Sequence, residues 1–193
     1  MSYNVLVIPE DFTKDEHILK PLVERILDDG ERKAHVLVCR DPNFQGVDAA
    51  LDLNTLRSMV IDRYPMVDLF ILLVDRDGKA GREHSADRIE KTLSGEMKPK
   101  TRRFLAELAR QEVEVFVLAG HDLPADWSWK DIRMDADVKN TFFKRFVALR
   151  GTSKQPHEGR KKLMGEAIAN WQRIKSRCPE DVGALLTRIS QRL

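Results

Sequence analysis

The feature that most constrains the fold of this chain is the run Leu69-Phe70-Ile71-Leu72-Leu73-Val74, which stops at Asp75-Arg76-Asp77-Gly78. An unbroken apolar run bounded by turn signals reads as a strand covered on both faces, and such strands belong to parallel sheets with helices packed on either side. Open sheets of this kind bind ligands outside the carboxyl ends of their strands. Asp75 and Asp77 stand at that edge. They lie two residues apart, so they share a side-chain direction if the extended backbone continues through the motif, and two convergent carboxylates suit a hard cation.

A second apolar run, Asn4-Val5-Leu6-Val7-Ile8, is rich in β-branched residues and ends in Pro9-Glu10-Asp11. Two strands therefore direct acid at one edge. A Mg²⁺ or Mn²⁺ ion keeps part of its water shell, so two or three carboxylates from separate strands are enough to hold it.

Between and beyond these strands the patterns alternate. Ile18, Leu19, Leu22, Val23, Ile26 and Leu27 recur at helical spacing up to the stop signal Gly30, with Pro21 expected to kink the helix or confine its start. Residues 34–39 read as a strand and 53–64 as a helix. After Gly78 the pattern predicts helices over 85–93 and 101–110, separated by Ser94-Gly95 and Lys98-Pro99-Lys100, and a fourth strand over 113–119. From about Asp137 only helices are expected, over 138–149, 160–177 and 179–193, with the loop 151–156 as the most flexible point. The expected fold class is α/β, a mostly parallel four-stranded sheet flanked by helices with a C-terminal helical extension. The expected division is an α/β domain over 1–125 and a basic helical extension over 126–193 packed on the same domain.

Composition narrows the class. The chain has 193 residues, 42% hydrophobic and 33% charged, and no apolar run approaches the roughly 20 residues of a spanning helix, so a globular, non-membrane protein is expected. Two cysteines without a CxxC pattern read as reduced, structural thiols, and the N-terminus lacks the blocks of a signal peptide, so a cytoplasmic location is expected. The net charge is +2, yet between Lys139 and Arg177 the bases Lys139, Lys144, Arg145, Arg150, Lys154, Arg160, Lys161, Lys162, Arg173, Lys175 and Arg177 face only Glu158 and Glu166. That skew suits a polyanion such as DNA or RNA, or simply solvated helix faces.

A strand ending in Glu, a helix, further α/β units and then an apolar strand ending in Asp-x-Asp resemble the Toprim domain of topoisomerases, bacterial primases, overcoming-lysogenization-defect nucleases and small RNA maturases. The likeness is nearest to small stand-alone Toprim-like proteins of bacteria, some of them linked to phage defence. Glu112-Val113-Glu114 and Cys178-Pro179 look like their Glu-x-Glu and Cys-Pro elements. The resemblance implies that Glu10 matches the family glutamate and that Asp75 and Asp77 match the metal-binding pair, with Mg²⁺ or Mn²⁺ as cofactor. The sequence departs from the family in having Asp11 where a glycine is usual and Lys14, beside Asp15, near the usual acidic position. Gly78 and Gly81 flank the expected place of the glycine that follows Asp-x-Asp.

The resulting expectation is a divalent-metal-dependent nuclease or related phosphoryl-transfer enzyme. Glu10, Asp75 and Asp77 form its metal and catalytic set, and Arg76, Lys79, Arg82 and Lys139 contact phosphates. Asp11 and Glu114 are additional candidates, although a Glu114 that opens a parallel fourth strand stands at the wrong edge. The alternative is a non-catalytic Toprim-like effector or sensor subunit that acts only with a partner such as an ATPase, because no GxxxxGK[ST] loop is present. A receiver-like phosphoacceptor is a third reading, lacking its expected lysine.

Several residues have structural readings. Asp75-x-Asp77-Gly78 can be a self-capping turn. Thr13-Lys14-Asp15-Glu16 has capping-box spacing, which assigns Asp15 and Glu16 to a helix start. His121-Asp122 reads as a turn, Trp127 and Trp129 as a cap on the core beneath the fourth strand, and the other histidines lack metal-ligand spacing.

Overall fold

The computed structural model of the chain describes residues 2–44, 46–98 and 101–192. Four strands, β1 (Tyr3–Ile8), β2 (Ala34–Val38), β3 (Leu69–Asp75) and β4 (Arg103–Ala109), form one all-parallel sheet in the order β2-β1-β3-β4. The register pairs Ile8 with Leu72 and Asp75 with Ala109, so the ends of β1, β3 and β4 share one edge. All seven residues of β3 are buried, as expected of a central strand covered on both faces.

Period-two alternation divides the core. Val5, Val7, Leu69, Ile71 and Leu73 face one helical layer, and Leu6, Ile8, Phe70, Leu72 and Val74 face the other. Asp75 has the parity of Leu73, which turns its side chain toward the layer built from α1 (Phe12–Asp29) and the C-terminal helices. That layer is one continuous apolar cluster running from Val5 to Ile189, so the region after 126 shares its core with the sheet. The opposite layer holds the short helices α2 (Val47–Ala50) and α3 (Leu53–Thr55), the π-helical segment Leu56–Ile61, and α4 (Gly81–Glu96).

Helix α1 runs through Pro21. An interior proline costs about 3 kcal/mol, and here that cost is offset by six apolar side chains of the helix, each 0–1% exposed, on the sheet.

Two elements differ from expectation, and they exchange places. Residues 103–109, expected as helix, are β4; residues 114–119, expected as the fourth strand, are helix α5 (Glu114–Ala119). The segment Arg103-Phe104-Leu105-Ala106-Glu107-Leu108-Ala109 carries helix-forming residues, but an open edge of β3 offers a full parallel ladder, and tertiary pairing overrides weak intrinsic preference. Helix α5 is buried on every side, so it shows no amphipathic period, and an apolar run of that length cannot be distinguished from a strand by its pattern.

The C-terminal region is helical, with one helix before the expected start, α6 (Trp129–Met134), then a π-helical turn Lys139–Phe143 leading into α7 (Lys144–Leu149), the expected helix over 160–177 divided into α8 (Arg160–Ile168) and α9 (Trp171–Arg177), and a π-helical turn Pro179–Gly183 leading into α10 (Ala184–Arg192). The loop after α7 is pinned: Thr152 is buried, and its amide and hydroxyl donate to the Val147 carbonyl. Pro99, Lys100 and Leu193 of the expected loop and last helix lie outside the described residues. Among the described residues no helix is long and apolar enough to cross a membrane.

Candidate metal centre

The exchange of β4 and α5 decides the site. Because residues 114–119 form a helix, Glu114 opens α5 at the carboxyl edge of the sheet, not at the opposite edge where a parallel strand would have put it. The Val113 amide donates to Asp75 Oδ1 at 2.8 Å and ties the start of α5 to the tip of β3. Asp75, Glu112 and Glu114 are all buried, and each offers a carboxylate oxygen within 4.8 Å of the other two. Lys139 and Arg160 hold two of them in place. The Lys139 amide donates to Glu112 Oε2 at 2.6 Å, and Arg160 Nη2 donates to Glu114 Oε1 at 2.6 Å.

Two more acids border this triad. Glu10 lies just past the end of β1, and its Oε2 is buried without a hydrogen-bond partner among the described residues. Burial raises its pKa first and the Asp77 charge second, against Arg82, the Asp75 backbone and Lys139. Asp15 is buried on α1, and burial, then Glu114 and Glu10, push its carboxyl up to about 7. Asp75 is raised well above the carboxylate range by burial, then by Glu10, Glu114 and Asp15. Glu112 is pushed up to about 7, chiefly by burial. Glu10, Asp15, Asp75 and Glu112 thus sit among like charges in a medium that screens poorly, which favours bound protons or a cation. Oxygen-only donors at this spacing suit a divalent ion such as Mg²⁺ or Mn²⁺, and the unpartnered Glu10 oxygen beside them strengthens the fit.

Asp77 is placed differently. The strand ends at Asp75, and Asp77 adopts φ 47°, so the extended backbone does not continue and the two side chains do not run parallel. The Arg76 and Asp77 amides donate to the Gln111 carbonyl and the Gly78 amide to Gln111 Oε1, which folds the motif back onto the start of α5. Asp77 Oδ2 pairs with Arg82 Nη1 at 2.6 Å, and the same nitrogen donates to the Asp75 carbonyl at 2.7 Å. Arg82 is itself buried, and one of its nitrogens makes both of these bonds.

The remaining candidates spread around the rim. Arg76 pairs with Glu83 at 3.2 Å and lines a cleft of about 390 Å³, Lys79 is exposed, and Lys139 Nζ lies 4.0 Å from Glu114. Asp11 is the N-cap of α1, accepting from the Thr13 amide at 3.0 Å, while Asp15 Oδ2 accepts from the Asp11 amide at 3.2 Å. The helix therefore starts before Thr13, and Asp15 is a member of the acidic group rather than only part of a helix start. Its signal was present in the chain: Asp15 precedes Ile18 and Leu19 by three and four residues and so lies on the apolar stripe of α1. Glu112 had no periodic signal; its mark in the chain was the Glu112-Val113-Glu114 element, and its place at the site follows from the turn into α5.

His121 is buried with Nε2 2.9 Å from the Leu163 carbonyl, and Asp122 pairs with Arg173, so this pair is structural. Trp127 and Trp129 pack partly buried against the C-terminal layer, Trp129 Nε1 donating to the Arg177 carbonyl. No protein-family model, curated protein or solved structure matches the chain.

Proposed function

We propose that this chain is a divalent-metal-dependent phosphoryl-transfer enzyme of Toprim type, a nuclease acting on DNA or RNA. The observation that carries the reading is the buried triad of Asp75, Glu112 and Glu114 at the carboxyl edge of β3, with the unpartnered Glu10 oxygen beside it. The order of Glu10 and Asp75-x-Asp77 along the chain supports the Toprim assignment. Asp75, Glu112 and Glu114 would hold Mg²⁺ or Mn²⁺, which when bound supplies Lewis-acid polarisation of a phosphodiester and a more acidic water.

The protein's own groups do the rest. Burial raises both Glu10 and Asp15, and Asp15, pushed up to about 7, suits a carboxylate that accepts a proton near neutral pH. Arg160 and Lys139 fix the orientation of Glu114 and Glu112. Asp77 locks Arg82 under the β3 tip and so positions Asp75. Arg76, Lys79 and Lys139 stand on the rim, where phosphate oxygens would approach.

The test is cleavage of labelled single-stranded and duplex DNA and RNA with Mg²⁺ or Mn²⁺, alongside calorimetric titration of the metal. Asp75→Asn should abolish both tight metal binding and cleavage while leaving the circular dichroism spectrum intact. Metal binding without cleavage of any substrate would leave a non-catalytic module.

A further inference from the structure

A second cleft, of about 500 Å³, opens between the start of α1 and the segment that leads into α8, and it is lined by His17, Gln155, Pro156, His157, Lys161 and Lys162. Its size falls in the range of small-ligand sites. Its walls are mostly apolar and its charged side chains are lysines: no carboxylate lines it, and Lys161 and Lys162 make no ion pair among the described residues. The nearest acids are committed elsewhere. Glu158 pairs with Arg160 at 2.5 Å, and Glu16, 3.9 Å from His17, is held by Arg40 at 2.9 Å.

The two histidine rings meet in a tilted contact, centroids 4.2 Å apart and planes inclined by 42°. Two imidazoles held together beside two lysines that make no ion pair among the described residues form an aromatic wall next to positive charge. The arrangement is built, because His157 and Glu158 both adopt left-handed backbone, at φ 53° and 57°, and lead into Gly159 at φ 74°. A Cβ at Gly159 would stand 2.5 Å from Thr152 Cβ, so the loop is packed in this course.

The cleft is also one guanidinium away from the acidic triad. Arg160 Nη1 donates to the His157 carbonyl at 3.2 Å, and Arg160 Nη2 donates to Glu114 Oε1 at 2.6 Å. The buried Arg160 side chain thus joins the wall of the cleft to the triad.

We propose that the cleft binds one nucleotide of a single-stranded polynucleotide, its base against the His17–His157 pair and its phosphate between Lys161 and Lys162. Stacking on aromatic faces needs an unpaired base, and lysines flanking such a wall follow the backbone, the pattern of single-strand grooves. The inference rests on the nucleic-acid reading of the triad and adds where the strand runs and which form of nucleic acid is preferred.

The test is fluorescence polarisation of a labelled single-stranded oligonucleotide in EDTA with the full chain. Binding without metal separates this cleft from the triad. Lys161→Gln with Lys162→Gln, both exposed positions, should weaken binding and lower the salt slope by about 0.7, the value for one neutralised phosphate on a single strand. His17→Ala should weaken it about tenfold, as expected for one stacked base, and should abolish preference over the matching duplex. Calorimetric Mg²⁺ affinity should stay unchanged in both variants. Wild-type affinity and salt slope in both variants would overturn the proposal, as would failure of the wild type to bind any oligonucleotide in EDTA. Binding of a free mononucleotide as tight as that of the oligonucleotide would overturn it too, assigning the cleft to a small ligand. None of these outcomes decides metal-dependent cleavage, which the Asp75→Asn assay reads separately.

Discussion

Asp15→Asn should stabilise the metal-free protein at alkaline pH and leave it unchanged in acid. The folded chain raises the Asp15 carboxyl from 3.8 to about 7, with burial as the main cause and Glu114 and Glu10 next. Below about pH 4 the carboxyl is protonated in folded and unfolded chains alike, and its burial carries no ionic penalty. Between pH 4 and 7 the folded state binds more protons than the unfolded one, so stability falls as pH rises, by about 1.4 kcal/mol per unit. The loss over that window reaches about 4 kcal/mol and is constant above it, a large share of the 5–15 kcal/mol that holds a typical domain. Asparagine keeps an oxygen able to accept the Asp11 amide, a bond of 3.2 Å in the wild type, and removes the charge. Urea denaturation in EDTA at pH 4, 6 and 8 should therefore show a declining wild-type stability and a variant with a flatter profile. Saturating Mg²⁺ at pH 8 should narrow the difference, since a cation relieves the same repulsion. Equal stability of the two proteins at pH 8 would refute the reasoning, because it would mean that Asp15 is solvated or already compensated.

Other outcomes follow from the same contacts. Asp77→Asn should reduce Mg²⁺ affinity far less than Asp75→Asn, since Asp77 pairs with Arg82 and lies outside the triad; calorimetry of both variants checks this. Arg160→Met should destabilise the fold by about 3–5 kcal/mol, leaving Glu114 charged and buried without its main partner, as read by denaturant midpoints. Gly120→Ala should cost about 1–3 kcal/mol or more from overpacking, because the new methyl would stand 2.5 Å from the Ala167 Cα and Cβ; a thermal melt measures it.

Much of the scaffold was legible in the chain. The six-residue apolar run of β3, the β-branched run of β1 and the periodic stripe of α1 each satisfy a local rule, and together they require a parallel sheet with helices on both faces. Acid at the tip of β3 was equally legible, since it depends only on where the apolar run stops. The direction of those acids was not. Whether Asp77 continues the strand is decided by Gln111, 34 positions away, whose carbonyl captures two amides of the motif.

The sequence by itself determined the α/β class, the central strand and the position of Asp75, because burial and period act within a few residues. Only the tertiary structure decided that 103–109 pair as a strand and that 114–119 close as a helix. Those apolar segments are compatible with either conformation, and the free edge of β3 selects between them. That selection brings Glu112 and Glu114 against Asp75, and the packing of α1 on the same sheet face adds Asp15. Convergence of charge in three dimensions has no local signature, because its energy resides in contacts between elements and not in any one of them.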